Sequence, residues 1–272
     1  ADLIEDYSHI QALGEALSKT KVKQITLEDT KFSSATLTQF VQSVRWDTAG
    51  VARLSLGSNP QIGDEAMVQL LDALKDVSLT SLDISSTGCG ISTASKLAEL
   101  LSGATKFSAA VADLNISEAT IGDSGATLVE AVSASSSLEF ITIGKRLRLS
   151  LKETYASDVF DASNQNIESG GVALIAWWLT TSVSASLTSL RCGSNPGMVG
   201  ELYENGTLKT PDVHIEALQQ LLDALKPSAV TDLDISDIGI GPTGADRVAD
   251  YVRDAKGSVV TINCLVNNFG DE

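Results

Sequence analysis

Apolar and polar positions alternate along this chain in a pattern that returns at intervals. A stretch of the form apolar-x-x-apolar-x-apolar occupies residues 51–56, 111–116 and 230–235. Its two-residue period predicts a short strand with one buried face. Each stretch leads into an apolar stripe at helical spacing. In the first copy that stripe is Ala66, Met67, Leu70, Leu71 and Leu74. The pattern therefore predicts short strands that alternate with helices.

The strand pattern recurs along the whole chain. It begins at Val22, Val51, Leu79, Val111, Leu138, Leu187, Val230 and Val259. The long step from 138 to 187 covers an irregular repeat over 138–186, with a weaker strand near Phe160, and the step from 187 to 230 contains a loop insertion over 197–212. One strand and one helix cannot bury their own apolar face, so neighbouring units must stack. We expect eight or nine repeats in a single α/β domain over residues 1–272.

The helix entries support a family resemblance. Residues 62–66, 121–126 and 240–245 begin Ile-Gly-Asp, Ile-Gly-Asp and Ile-Gly-Pro. With the strand triplets, they resemble the ribonuclease-inhibitor-like class of leucine-rich repeats. The resemblance implies a right-handed α/β horseshoe, a solenoid with its parallel sheet on the concave face and its helices on the convex face. It also implies a curved protein-binding surface.

One column departs from that class. The class places asparagine in the turn after each strand, and here Asn59, Asn195 and Asn267 occupy that column. The other turns have Thr87, Ala119, Gln165 and Ile238. Those turns must satisfy their buried backbone groups without the usual amide.

The two ends of the chain resemble partial repeats. Residues 3–19 predict a helix with one apolar side formed by Ile10, Leu13, Ala16 and Leu17. Residues 269–272 copy the helix entry at 62–65. Solenoids need polar caps, and neither end has the pattern of one. We expect a longer array of which this chain is a part; the alternative is that further terminal residues are disordered.

Composition limits the classes of partner. The chain has 272 residues, a net charge of −16 and an isoelectric point near 4.4. Such a charge disfavours binding to nucleic acid and to anionic lipid. The sequence also lacks a run of 18 apolar residues, so membrane insertion is not expected. The cysteines Cys89, Cys192 and Cys264 are too few and odd in number for a disulfide framework. We therefore expect an intracellular, cytoplasmic protein with a basic protein partner.

Catalytic and cofactor motifs are missing from the sequence. His9 and His214 lie far apart in the chain, and no phosphate-binding or dinucleotide-binding glycine motif is present. We expect no enzyme activity, no cofactor and no metal.

Acidic residues recur between the apolar positions of the strands. These positions alternate with the buried ones and should share one face. The acids are Asp83, Asp113, Asp161, Asp232 and Asp234, with Phe140 and Arg191 in the same columns. One interpretation is a surface that binds a basic protein. The other is that aspartate is a common filler and the face is only solvated.

A basic segment interrupts the pattern after Ile143. Residues 145–152 contain Lys145, Arg146, Arg148 and Lys152, and they alternate with leucine as in a strand. The strand replaces an expected helix. The segment could bind an acidic partner or lipid headgroups; the alternative, which we favour, is that its side chains pair with acids of the same molecule.

Two further features are candidates for a binding surface. Trp177 falls in a helix column whose other members are Gln42, Asp72, Ala131, Asp223 and Asp250, and because polar residues dominate there we expect the column to face solvent. The helix that contains Trp177 is apolar almost all round. Such a helix is covered either by the rest of the chain, which we favour, or by a partner that uses Trp177 as an anchor. The insertion 197–212 is long for a loop and contains Tyr203.

These features predict a non-catalytic scaffold or structural subunit that binds protein through a curved acidic surface, within a larger assembly. The alternative is a regulator of an enzyme, an inhibitor or a GTPase activator, that binds a basic partner on the concave face. The sensing end of an immune receptor is a third possibility, although the chain has no nucleotide-binding segment.

Overall fold

Short strands and helices alternate in the computed structural model, which describes residues 6–254 and 259–270. The strands are β1 Gln24–Thr26, β2 Arg53–Ser55, β3 Ser81–Asp83, β4 Asp113–Asn115, β5 Phe140–Ile143, β6 Leu147–Ser150, β7 Val159–Asp161, β8 Ser189–Arg191, β9 Glu201–Leu202, β10 Leu208–Thr210, β11 Asp232–Asp234 and β12 Thr261–Asn263. The helices are α1 Ser8–Leu17, α2 Ser34–Ser43, α3 Trp46–Ala49, α4 Gly63–Leu74, α5 Ile91–Ser102, α6 Lys106–Ala110, α7 Gly125–Ala134, α8 Ser169–Leu179, α9 Ile215–Leu225 and α10 Pro242–Asp254. Three 3-10 turns occupy Gly122–Ser124, Ser182–Ser184 and Pro196–Met198.

The chain divides into two compact units. The first comprises residues 1–119 and 130–141, and the second comprises residues 120–129 and 142–272. Helix α7 and strand β5 each contain residues of both units. A single domain over residues 1–272 stays a prediction.

In the first unit, four parallel strands lie side by side in chain order. Gln24, Arg53, Ser81 and Asp113 are register partners in turn along β1 to β4. The middle residue of each strand is buried because it faces the helices, and these residues are Ile25, Leu54, Leu82 and Leu114. The predicted strand positions are confirmed.

The helices of the first unit bury the stripe that their spacing predicts. In α4 the buried residues are Ala66, Met67, Leu70, Leu71 and Leu74, as expected. In α1 the expected side is confirmed for Ile10 and Leu17, which are buried together with Gly14, and wrong for Leu13 and Ala16, which are exposed. The glycine explains the rotation: Gly14 lies so close to Ser43 of α2 that a β-carbon would collide with the serine side chain. The predicted start of this helix at residues 3–5 lies outside the described residues.

A second correction concerns the helix column that was expected to face solvent. Gln42, Asp72, Asp223 and Asp250 are exposed, but Ala131 is fully buried. Helix α7 begins only after the 3-10 turn Gly122–Ser124. A 3-10 turn has three residues instead of 3.6, so the residues after it are rotated relative to the count used for the other helices.

In the second unit, β7, β8, β11 and β12 form a parallel four-stranded sheet in this order. Asp161, Arg191, Asp234 and Asn263 are register partners in turn. Strand β6 lies next to β5, to which a three-residue turn joins it, and it replaces the helix expected after Ile143. The insertion 197–212 contains an antiparallel hairpin of β9 and β10.

A left-handed residue recurs at one place in the turns. It is the third residue after each of the eight parallel strands β1–β4, β7, β8, β11 and β12. These residues are Asp29, Ser58, Ser86, Glu118, Asn164, Ser194, Asp237 and Val266. Most of them are small or short polar residues, which tolerate this conformation best. In six of these turns the backbone N–H of that residue donates to the neighbouring repeat, as from Asp29 to the Gly57 oxygen over 3.1 Å.

The three turn asparagines connect neighbouring repeats. Asn195 lies buried, and its amide nitrogen donates to the carbonyl oxygens of Ala162, Cys192 and Gly193 over 2.6 to 3.2 Å. Its side-chain oxygen accepts from the N–H groups of Gln165 and Ile167 over 2.9 and 3.0 Å. Asn59 forms the same five contacts, and Asn267 forms four of them. Where threonine replaces asparagine, the Thr87 hydroxyl donates to the Ile84 oxygen over 2.6 Å.

Carboxylates of one repeat also cap the helix of the next. Asp64 Oδ1 accepts from the N–H groups of Gly90 and Thr93 and from Thr93 Oγ1, at the start of α5. Burial alone would raise the pKa of the Asp64 carboxyl, but its hydrogen bonds from Thr93, Gly90 and Ser92 outweigh burial and lower that pKa. Asp212 accepts from the N–H groups of Gly241 and Gly244 at the start of α10.

In residues 6–254 and 259–270, no helix has the length and apolar character needed to cross a membrane.

Candidate protein-binding face

The first and third residues of the parallel strands form the candidate site. Their side chains point away from the buried middle residue, because successive side chains of a strand alternate between its two faces. We call these two columns the strand face of each unit. In the first unit they comprise Gln24, Thr26, Arg53, Ser55, Ser81, Asp83, Asp113, Asn115 and Phe140. In the second they comprise Val159, Asp161, Ser189, Arg191, Asp232, Asp234, Thr261 and Asn263.

A charged row crosses the second unit's strand face. Asp161, Arg191 and Asp234 are direct register neighbours, so their Cα atoms are about 5 Å apart from strand to strand. The Arg191 guanidinium nonetheless forms no ion pair within 4 Å in the described part of the chain. Negative, positive and negative side chains thus stand in a row, in which Asp161 and Arg191 are exposed and Asp234 is half-buried.

A local turn holds each aspartate at the third strand position. The backbone N–H of Ser163 donates to Asp161 Oδ1 over 2.9 Å, and that of Ser236 donates to Asp234 Oδ1 over 3.0 Å. The same bond joins Ser85 to Asp83 over 2.9 Å. This Asx turn fixes the carboxylate and leaves Oδ2 for other partners. The motif Asp-x-Ser, which begins at the last residue of the strand, is the sequence signal for it, and sequence reasoning missed it.

The second carboxylate oxygen, Oδ2, of these aspartates has a partner in the first unit but none in the described part of the second. Asp83 Oδ2 accepts from Asn115 Nδ2 over 3.0 Å, so its neighbour already uses it. In the second unit Asp234 Oδ2 and Asp161 Oδ2 have no hydrogen-bond partner among the described residues. Asp232, in the first column, accepts from the Ser189 hydroxyl over 3.0 Å. The second unit's strand face therefore has more free acceptor capacity.

The other predicted residues of the first unit's strand face are also in place. Asp113 stands at the first position of β4, in register with Ser81, and is half-buried. Phe140 begins β5 and is half-buried as well, and its backbone N–H donates to the Ala112 oxygen over 3.0 Å. The phenyl ring therefore adds an apolar component to a polar face.

The basic segment is the strand that its pattern predicts. Leu147 and Leu149 are buried, while Lys145, Arg146 and Arg148 are exposed. Lys145 Nζ donates to Asn164 Oδ1 over 3.0 Å, and the Arg146 N–H donates to Gln165 Oε1 over 3.0 Å. Lys145 thus binds an amide of the turn after β7, a neutral partner where an acid was expected.

Of the two adjacent tryptophans of α8, Trp177 and Trp178, the second is covered from within the chain. Trp178 is fully buried, and its indole nitrogen donates to the Ser150 oxygen of β6 over 2.7 Å. Its ring packs against Phe160 and Tyr155, at centroid distances of 4.6 and 5.5 Å. Trp177 is half-buried. The intramolecular covering that we favoured is confirmed for the Trp178 side of α8, and an anchoring role of Trp177 stays a prediction.

Tyr203 lies at the tip of the hairpin in the insertion, with 55% of its surface exposed. The hairpin is closed by an ion pair of 2.7 Å between Lys209 Nζ and Glu201 Oε1. That hydrogen bond from Lys209 lowers the pKa of the Glu201 carboxyl. The hairpin thus presents an aromatic side chain on a short two-stranded support, outside the strand face.

A cleft of about 310 Å³ opens in the second unit at the starts of α8 and α9. Its walls are mostly small residues, among them Gly125, Gly170 and Ala173, and Asp123 and His214 also line it. In the described ranges, no three or more His, Cys, Asp or Glu side chains are grouped so that they could hold a metal ion.

No protein-family model and no curated protein matches this sequence. Solved structures with a similar backbone include actin-binding site 2 of leiomodin-1, at a TM-score of 0.43 and 11% identity, covering 52% of this chain and 80% of that chain. They also include the leucine-rich repeat-containing protein LegL7 from Legionella pneumophila, at 0.33 and 18%, covering 90% of this chain and 66% of that one. A third is the Rad7 and Elc1 complex in yeast, at 0.34 and 12%, covering 96% and 77%. At these values the neighbours settle neither fold nor function.

Proposed function

We propose that this chain is a leucine-rich repeat solenoid that serves as a non-catalytic scaffold for protein–protein interaction. Its parallel strands would line the inner face and its helices the outer face. The partner it would bind has a basic surface, and the contact would use the strand face. The proposal assigns no catalytic role to any residue and keeps the protein in the cytoplasm.

The solenoid is supported by connections that recur from repeat to repeat. Within each unit, parallel strands neighbour one another in chain order. Left-handed residues recur at the third position after the strand, and Asn59, Asn195 and Asn267 each connect their own turn to the preceding one. Each repeat thus depends on its neighbour for its backbone hydrogen bonds, as solenoids require.

One observation carries the binding proposal: the row of alternating charges formed by Asp161, Arg191 and Asp234. Asx turns hold both aspartates in fixed positions, so a partner need not order them on binding. Basic groups about 10 Å apart, on either side of an acidic group, would complement the row. The chain's net charge of −16 would also accelerate encounter with a basic protein at low salt.

The test uses a variant in which Asp161, Asp232 and Asp234 are each replaced by asparagine. Asparagine keeps the acceptor oxygen for the Asx turn but removes the charge. In the matched control, Asp76, Asp123 and Asp246 are each replaced by asparagine. These residues are exposed and lie outside the strand face, and the net charge changes by the same amount in both variants. Partners captured from the native source by the wild-type chain are identified, purified and titrated against all three proteins.

We expect a basic partner that binds the wild-type chain and the control alike and the strand-face variant about tenfold more weakly. The affinity of the wild-type chain should fall between about 50 and 300 mM salt. Equal affinity for all three proteins would contradict the proposal.

A further inference from the structure

The tip of the hairpin in the insertion contains an asparagine followed by a glycine. Asn205 and Gly206 lie between β9 and β10, and both are exposed, as is Thr207. Of the asparagines in this chain, Asn205 alone precedes a glycine. The side-chain amide of an asparagine can react with the next backbone nitrogen of the chain. Because glycine has no β-carbon, it leaves that nitrogen unshielded.

Two hydrogen bonds hold the side-chain carbonyl of Asn205. The Thr207 backbone N–H donates to Asn205 Oδ1 over 3.1 Å, and the Thr207 hydroxyl donates to the same oxygen over 2.7 Å. Both donors draw electron density from Cγ and make this carbon more electrophilic. They also stabilise the negative charge that Oδ1 gains when a nucleophile adds to Cγ.

The backbone nitrogen of Gly206 is the nearest nucleophile in the chain. Gly206 has φ 81°, and apart from its chain neighbours no described atom lies within 4 Å of the place where a β-carbon would stand. Its N–H donates to the Tyr203 oxygen over 2.9 Å, and this bond must open before the nitrogen reacts. The bond lies in an exposed turn, where backbone hydrogen bonds open at the smallest cost in free energy.

Asn115 provides a comparison within the same chain. Its Oδ1 accepts from the Ser117 backbone N–H over 3.1 Å and from the Ser117 hydroxyl over 2.6 Å, so its carbonyl is activated in the same way. The next residue, however, is Ile116, whose buried, β-branched side chain shields the backbone nitrogen. Asn115 Nδ2 also donates to Asp83 Oδ2 over 3.0 Å, which holds the side-chain amide in place. Asn205 thus combines an activated carbonyl with an accessible nucleophile, and Asn115 does not.

We propose that Asn205 is a modification site that deamidates spontaneously through a cyclic imide. The Gly206 nitrogen forms a bond to Asn205 Cγ, and the bond between Cγ and Nδ2 breaks. The side-chain nitrogen leaves as ammonia and takes the proton of the Gly206 amide with it. Water then opens the imide. Attack at the Cγ carbonyl gives aspartate, and attack at the backbone carbonyl of Asn205 gives isoaspartate.

Either product changes the hairpin. Both add a carboxylate next to Glu204, on a hairpin that already contains Glu201. Isoaspartate also carries the backbone through the former side chain, which lengthens the turn by one atom and disfavours the pairing of β9 with β10. The reaction alters the support that presents Tyr203 and leaves the strand face unchanged. It therefore stands or falls separately from the proposed function.

Peptide mapping by mass spectrometry tests the proposal. The folded chain is kept at about pH 7.5 and about 37 °C for about two weeks, and the gain of about 1 Da at each asparagine is compared with that in a sample digested at once. Electron-transfer fragmentation distinguishes aspartate from isoaspartate. The variants are Gly206→Ala, which shields the nitrogen, and Thr207→Val, which removes the hydroxyl and keeps the backbone N–H. Circular dichroism establishes that each variant is folded.

We expect Asn205 to deamidate at least about tenfold faster than Asn115, with isoaspartate among the products. Gly206→Ala should slow the reaction at Asn205 at least about fivefold. Thr207→Val should slow it about twofold, because one of the two hydrogen bonds to Oδ1 remains.

An Asn205 that stays unmodified, or that reacts no faster than Asn115, overturns the proposal. Aspartate without isoaspartate overturns the cyclic imide, since direct hydrolysis of the side-chain amide gives aspartate alone. A rate in Gly206→Ala equal to that of the wild-type chain overturns the role of the Gly206 nitrogen. An equal rate in Thr207→Val overturns the activation of the carbonyl by the hydroxyl.

Discussion

Trp178 and Ser150 join two elements that the chain separates by 28 residues, since the indole N–H of one donates to the carbonyl oxygen of the other over 2.7 Å. The contact attaches the irregular strand β6 to helix α8. Because the indole is fully buried, the hydrogen bond satisfies a donor that would otherwise lose its partner.

Replacing this tryptophan should destabilise the protein markedly. Trp178→Phe removes the donor, leaves the Ser150 oxygen without it and creates a void beside Phe160. We expect a loss of about 3 kcal/mol in the free energy of unfolding. The neighbouring Trp177→Phe is the control and should cost less than about 1 kcal/mol, since that ring is half-buried. Urea unfolding followed by circular dichroism measures both, and equal losses would contradict the assignment.

Replacing the buried turn asparagine Asn195 should destabilise the protein strongly. Asn195→Ala removes five hydrogen bonds at a fully buried position and leaves backbone groups of two repeats without partners. We expect the free energy of unfolding to fall by at least about 3 kcal/mol. Asn205→Ala, on the exposed hairpin tip, should change stability by less than about 0.5 kcal/mol. Thermal and urea unfolding of both variants compare them, and a mild effect of Asn195→Ala would show that other groups replace its bonds.

The cap that Asp64 provides should be sensitive to pH. The pKa of its carboxyl is lowered in the folded protein. Its contribution to stability is therefore present above the pKa of the same group in the unfolded chain, near 3.8, and is lost as the pH falls through its pKa in the folded protein. Asp64→Ala should cost about 2 kcal/mol at neutral pH, because it removes charged acceptors from the start of α5.

The difference in the free energy of unfolding between the wild-type chain and Asp64→Ala should therefore become smaller below about pH 4. Asp76→Ala, which removes an exposed carboxylate, is the control for the loss of one charge. Urea unfolding from about pH 7 to pH 3 measures the two differences. A cost of Asp64→Ala that stays constant over this range would mean that the charged carboxylate is not what caps the helix.

The buried thiol should be inert in the folded protein. Burial raises the pKa of Cys192 to about 12, so almost no thiolate forms near pH 8. In a chain with Cys89→Ser and Cys264→Ser, an aromatic disulfide reagent should label Cys192 only at the rate of unfolding. Denaturant should make the reaction rapid. Labelling of the native chain within seconds would show that this part of the core opens readily.

The repeats could be predicted because their signal is local. The strand triplets appear where the two-residue period places them, and Leu54, Leu82 and Leu114 are buried as the pattern requires. The columns of the strand face follow from the same alternation, which is why Asp161, Arg191 and Asp234 could be named before any coordinates. Their functional role stays a prediction.

Other features depended on contacts between residues far apart in the chain. The buried side of α1 was wrong at Leu13 and Ala16 because α2 packs against Gly14 through Ser43, and helical spacing alone does not show where a neighbour approaches. Trp177 and Trp178 are adjacent and chemically identical, and only Trp178 meets Ser150, Tyr155 and Phe160 and is fully buried. The Asx turns were missed although the Asp-x-Ser motif was present.

The sequence by itself determined the repeat, the strands and the polar character of their outer columns, because burial alternates with the local period of the backbone. The tertiary structure decided which groups have partners: Oδ2 of Asp83 is bonded to Asn115, whereas that of Asp234 has no partner among the described residues. The reason is geometric, because a hydrogen bond between repeats requires two side chains on neighbouring strands, about 5 Å apart, to meet. The spacing of side chains within one strand does not show which side chain of the neighbouring strand lies opposite.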